Sequence, residues 1–102
     1  MVKAKNYKEH LLKQLKKSGE AAAYLNAALN DDDPHVFLLA LRDIAEAKGG
    51  MGWLADQADL NRENLYRTLS LKGNPRFFNL LAVLDAIGLE LTIRASRKSA
   101  RA

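Results

Sequence analysis

Cysteine is absent from this 102-residue chain, and proline occurs only twice. Without thiols there is no disulfide, no thiolate nucleophile and no Cys-ligated metal, which suits a reducing compartment and predicts a cytoplasmic location. Histidine is nearly as scarce. His10 and His35 fall in different predicted helices, with no metal-ligand spacing. HExxH, GxSxG, Walker and GxGxxG patterns are missing. The glycines at 49, 50 and 52 follow no strand and precede no Gly-Lys-Ser/Thr, so they read as a helix stop. Asp31, Asp32 and Asp33 lack the spaced ligands and terminal Glu of a calcium loop and read as a turn plus a helix cap. No carboxylate pair for acid–base work is identifiable, so neither enzymatic activity nor a metal or other cofactor is expected. Apolar runs stay well below the ~18 residues of a membrane span. The opening MVKAKNYKEH has no apolar core of a secretory signal, although a basic amphipathic transit peptide stays open.

What is present is enough apolar material for one modest core. Hydrophobic residues make up 48% of the chain, and a domain of this size buries roughly 60–65% of its unfolded surface. The net charge of +4 hides a strong asymmetry. Residues 1–17 carry +5, residues 18–50 carry −4, residues 51–79 carry +1 and residues 80–102 carry +2. Basic termini are either solubilising tails or arms that meet phosphate.

The apolar spacing predicts six helical segments and one strand. Residues 7–17 form a short amphipathic helix with Leu11, Leu12 and Leu15 on one side. A second helix, capped by Ser18, runs to residue 29 with Tyr24, Leu25, Ala28 and Leu29 sharing a face. Asp33 caps a third, with Pro34 at its first position. It extends to about residue 48 and buries Phe37, Leu38, Leu41, Ile44 and Ala45. Two short helices follow, over 52–58 and 62–69. A last one, capped by Asn74 and starting at Pro75, buries Phe77, Leu80, Leu81, Leu84 and Ile87. Beyond Gly88, residues 89–95 alternate, with Leu89, Leu91 and Ile93 against Glu90, Thr92 and Arg94, which predicts a strand. A lone strand needs a partner. Either it pairs with the same strand of a second copy, or it packs as an extended tail on its own domain. Residues 96–102 read as a disordered tail.

The two short helices joined by a three-residue turn match a DNA-binding helix-turn-helix over about 52–69. Such a motif needs a small residue where the helices cross, an apolar plug in the turn, and an inward apolar pair on the second helix. Ala55 with Leu54, Leu60, and the pair Leu65 and Leu69 meet these needs. Glu63 and Arg67 then lie nearly opposite the buried side, flanked by Asn64 and Tyr66, with Arg62 at the helix start. The same pattern also describes an ordinary helical hairpin with a solvated outer face.

The residues around the motif favour the first reading. LA at 54–55, PRF at 75–77, Leu80, Leu84 and AIG at 86–88 resemble the lambda-repressor/Cro class over residues 36–88. More closely, AAAYLNAAL at 21–29, DPHVFLLALRDIA at 33–45, RENLYRTLS at 62–70 and GNPRF at 73–77 resemble the HigA-like addiction-module antidote proteins. One departure is Asp59, where the turn of that class usually has Gly for a positive φ, which Asp tolerates better than most residues. The resemblance implies an all-α, lambda-repressor-like domain of five to six helices over residues 18–88, with the basic 1–17 segment before it and the short strand after it. It implies that Arg62, Glu63 and Arg67 read bases, in keeping with the affinity of Arg for guanine and of Glu for the cytosine amine. Asn61, Tyr66, Lys72 and Arg76 fall where the class touches phosphates. Glu63 could instead pair with Arg67 one turn on, and Tyr66 could be half-buried packing. Trp53 reads as core or helix-edge packing.

Two functions follow as expectations. One is a dimeric repressor on double-stranded operator DNA. The other, implied by the resemblance alone, is an antitoxin that also neutralises a RelE/ParE-like toxin through the N-terminal region or the acidic 18–50 segment. A stand-alone Cro-like regulator without a toxin is the alternative.

Overall fold

The computed structural model describes residues 4–96 and consists of six helices. They are α1 (Ala4–Leu15), α2 (Ser18–Leu29), α3 (His35–Lys48), α4 (Met51–Ala58), α5 (Arg62–Thr68) and α6 (Phe77–Ala86). The disordered tail expected over 96–102 lies outside the described residues, apart from Ser96.

α1, α2 and α3 pack against one another, α4 packs on both α5 and α6, and the α3–α4 contact joins the two groups. One apolar core runs through all six helices. Leu15, Leu41, Ile44, Leu54, Leu69, Val83 and Ile87 are its most fully buried large side chains. Leu15 draws α1 into this core, with Leu11 and Leu12 partly buried beside it, so α1 is a packed helix of the domain. Among the described residues no polar or charged side chain is buried. The polar ties sit at the rim. The Tyr24 hydroxyl donates to Asp43 across α2 and α3 at 2.6 Å. Burial, then the bond to the Asp43 carboxylate, hold the Tyr24 phenol well above its ordinary pKa.

Several local expectations are corrected. The strand over 89–95 is not formed: there is no strand among the described residues. A ladder needs a second strand, and one chain does not supply it. Leu89 packs on the core, whereas Leu91 and Ile93 are exposed, Ile93 by 90%. In α6 the buried stripe is Val83, Leu84 and Ile87, with Leu80 beside it. Phe77, placed in that stripe from spacing, is 56% exposed, because the helix begins at Phe77 rather than at Pro75 and its first turn projects beyond the core. Asn74 therefore makes no cap; Arg76 holds the cap position without a side-chain bond. Ser18 is the first residue of α2 rather than its cap, and Lys17 in the cap position makes no side-chain bond. Leu29, at the end of α2, is 58% exposed, past the last turn that packs. α3 begins at His35 with Pro34 in the cap position, so Asp33 stands one residue before the expected cap; its Oδ1 still accepts from the His35 backbone N–H and also bonds the His35 ring, both at 2.9 Å. These bonds hold the Asp33 carboxyl below its usual range.

Candidate nucleic-acid interface

The α4–turn–α5 unit follows from a few residue types. Leu54 and Ala55 on α4 and Leu65 on α5 are buried, as is Leu69 just past the end of α5. Leu60 fills the turn against the core. Asp59 occupies the left-handed region at φ 56° and ψ 47°. Leu60 N–H donates to Ala55 O and Asp59 N–H to Asp56 O, at 2.9 and 3.3 Å, the bond pair of a Schellman motif. Asn61 then caps α5, its side-chain oxygen accepting from Asn64 N–H at 3.0 Å.

The far end of α5 is also tied down. The Thr68 hydroxyl donates to Asn64 O, and the Ser70 hydroxyl to Arg67 O at 2.8 Å. Arg42, on α3, donates from Nη1 to Leu69 O at 3.4 Å. The loop to α6 returns so closely that a Cβ on Gly73 would lie 1.8 Å from Thr68 O, so only glycine fits there.

The buried side of α5 leaves Arg62, Glu63, Asn64, Tyr66 and Arg67 exposed, and Asn61, Lys72 and Arg76 are exposed beside them. The structure brings some of the sequence-predicted residues together. Arg62 Cζ lies 5.9 Å from the centre of the Tyr66 ring. Its guanidinium rests over the first turn of α4, 3.5 Å from where a Gly52 Cβ would be. Arg67 donates to the Asn64 side-chain oxygen rather than pairing with Glu63. Among the described residues Glu63, Lys72 and Arg76 form no ion pair. Trp53 is partly buried on the core and covers Gly49.

Sequence reasoning missed Arg42. Its Cζ lies 5.5 Å from the Tyr66 ring centre, making it the second guanidinium at that ring. It sits in the acidic 18–50 segment and reaches α5 across 27 positions of sequence. No local pattern encodes that contact. The exposed rings of Phe77 and Phe78, in edge-on contact at 5.8 Å between centroids, are a second unforeseen surface feature. Among the described residues no group of His, Asp and Glu could hold a metal ion, and no helix is long and apolar enough to cross a membrane.

Known proteins bear on this surface through their sequences. No solved structure matches the chain. A protein of Haemophilus influenzae (strain ATCC 51907 / DSM 11121 / KW20 / Rd), described as an uncharacterized protein, is 40% identical over 78 residues, covering 76% of this chain and 79% of that one. The family described as "Probable addiction module antidote protein" matches residues 6–95, from α1 through the segment beyond α6. With the match spanning nearly the whole length, the chain belongs to the probable addiction module antidote protein family.

Proposed function

We propose that this chain is the antitoxin of a type II toxin–antitoxin module, acting as a cytoplasmic dimer that binds operator DNA and represses its own operon while neutralising a RelE/ParE-like toxin. The observation that carries the DNA half is the outer face of α5. It is short, polar and cationic, and it is held against α4 by buried Leu65 and Leu69. In this reading Arg62, Glu63 and Arg67 form the row nearest the base edges, and Asn61, Tyr66, Lys72 and Arg76 position the backbone. Two copies place their α5 helices in successive major grooves, about 10 base pairs apart. Pairing of residues 89–95 with those of a second copy would supply the missing ladder and cover Leu91 and Ile93.

The test is a gel shift on duplex DNA from the chain's own promoter. A specific shift is expected, with a salt slope corresponding to about two to four phosphates per subunit by the ~0.9-per-phosphate rule. Arg62→Ala combined with Arg67→Ala should abolish it, since each good bidentate contact is worth ~1–3 kcal/mol. Full affinity in that double variant would refute the site. For the toxin half, exposed Leu29 beside Asp31 and Asp32 fits a basic partner. Because α1 belongs to the core, the informative change is on the surface: Leu29→Ser with Asp31→Lys and Asp32→Lys should stop co-purification with the neighbouring gene product, and undiminished capture would exclude this face.

A further inference from the structure

Arg42 and Arg62 both reach the ring of Tyr66, at 5.5 and 5.9 Å from its centre. One comes from α3 and the other from the start of α5. Among the described residues neither forms an ion pair with a carboxylate. Bringing two cations to one ring without a counter-charge is unfavourable by Coulomb repulsion, and the ring quadrupole offsets only part of it. Their positions are nevertheless defined by more than the ring. Arg42 is anchored through Leu69 O, and Arg62 lies over Gly52 on α4. Two cations of like sign at one ring, on a side chain 40% exposed, lack one component, an anion.

We propose that Arg42, Tyr66 and Arg62 form a clamp for one backbone phosphate of the bound duplex. The inference rests on the DNA-binding reading and refines it. Arg42 joins the backbone contacts although it lies outside the helix-turn-helix. The clamp replaces the base-reading role given to Arg62 above: Arg62 serves the phosphate, leaving base discrimination in its row to Glu63 and Arg67. Guanidinium forks suit a phosphodiester because each offers two parallel N–H donors to two oxygens, and Arg42 keeps donors free after its bond to Leu69 O.

The experiment uses the full chain with two duplexes of equal length, one selected by the protein from random sequence and one unrelated. Affinity is measured against salt. Arg42→Ala and Arg62→Ala should each make the log–log salt slope shallower by about 0.9 and weaken both duplexes by the same factor. Arg42→Lys should restore the slope, because counterion release follows charge. A merely structural Arg42 would lower affinity at unchanged slope, and circular dichroism would show whether the variant still folds. An unchanged slope in Arg42→Ala, or loss by Arg62→Ala on the selected duplex alone, overturns the clamp while DNA binding stands. Failure of the wild type to bind either duplex overturns both.

Discussion

In α1–α3 several charged and polar groups are answered within the chain. Asp43 takes the Tyr24 hydroxyl, Glu46 pairs with Lys8 at 3.3 Å, and Asp33 holds the start of α3. In α4–α6 the helices are shorter, and the exposed cations go without carboxylates among the described residues. Tyr66, Leu71, Phe77 and Phe78 stand in solvent there. The first group ties its helices together with polar bonds at the rim, although Tyr7 and Leu29 are exposed there, and the second presents arginines without carboxylate partners beside exposed rings. Exposed aromatic rings and unpaired arginines cost little in water, but they are the groups that gain most when a phosphate or an apolar face arrives. The more self-sufficient half is thus α1–α3, and the less satisfied half is α4–α6.

The largest test of this division is Leu15→Ala. If α1 is part of the self-sufficient half, removing this nearly fully buried side chain should cost about 3 kcal/mol in urea unfolding. A change under about 0.5 kcal/mol would make α1 a detachable arm and break the comparison. Gly73→Ala comes next. Its Cβ cannot coexist with Thr68 O, so the loop must move, at a cost of about 2 kcal/mol. Because the damage falls at the end of α5, DNA affinity should drop while the Tyr24–Asp43 tie survives. Tyr24→Phe is smaller, about 1 kcal/mol for a rim hydrogen bond. Its signature is alkaline. The folded phenol is held above its ordinary pKa by burial and Asp43, whereas the unfolded phenol begins to ionise near pH 10. The wild type should therefore keep this contribution below about pH 10, and the gap to Tyr24→Phe should start to close there and go on closing as the pH rises toward the raised pKa of the folded phenol.

The same division governs what the sequence discloses. The α4–α5 unit is legible because each of its requirements is local: a small residue at 55, an apolar plug at 60, two leucines four apart. Asp33 is legible as a helix-start residue for the same reason, although the cap position falls one residue later, on Pro34. Phe77 is not, since a 3.6-residue stripe tells which residues share a face but not where the first turn leaves the core. Leu29 fails likewise at the end of α2. Alternation over 89–95 signals strand potential, but realising it depends on a partner that a single chain lacks. Arg42 was hidden by its segment: a negative local sum said nothing about one guanidinium reaching across the fold to Leu69.

The smallest predicted effect concerns two turns of the same design. α4 and α6 both end with paired Schellman bonds, Leu60 N–H to Ala55 O with Asp59 N–H to Asp56 O, and Leu89 N–H to Leu84 O with Gly88 N–H to Asp85 O. Gly88 supplies the positive φ in one, at 81°, and Asp59 in the other, at 56°. A side chain in the left-handed region costs roughly 1 kcal/mol, less for Asp than for most residues, and glycine forfeits part of that gain through unfolded-state entropy. Asp59→Gly should therefore stabilise the protein by about 0.5 kcal/mol, read as a small rise in the urea midpoint. Gly88→Ala should destabilise it by about 1 kcal/mol, through backbone strain alone, because its Cβ would meet Ser18 Oγ only at an ordinary 3.8 Å. If Asp59→Gly destabilises instead, the Asp59 side chain contributes to the turn, and the α4–α5 unit is less like the α6 turn than their bonds suggest.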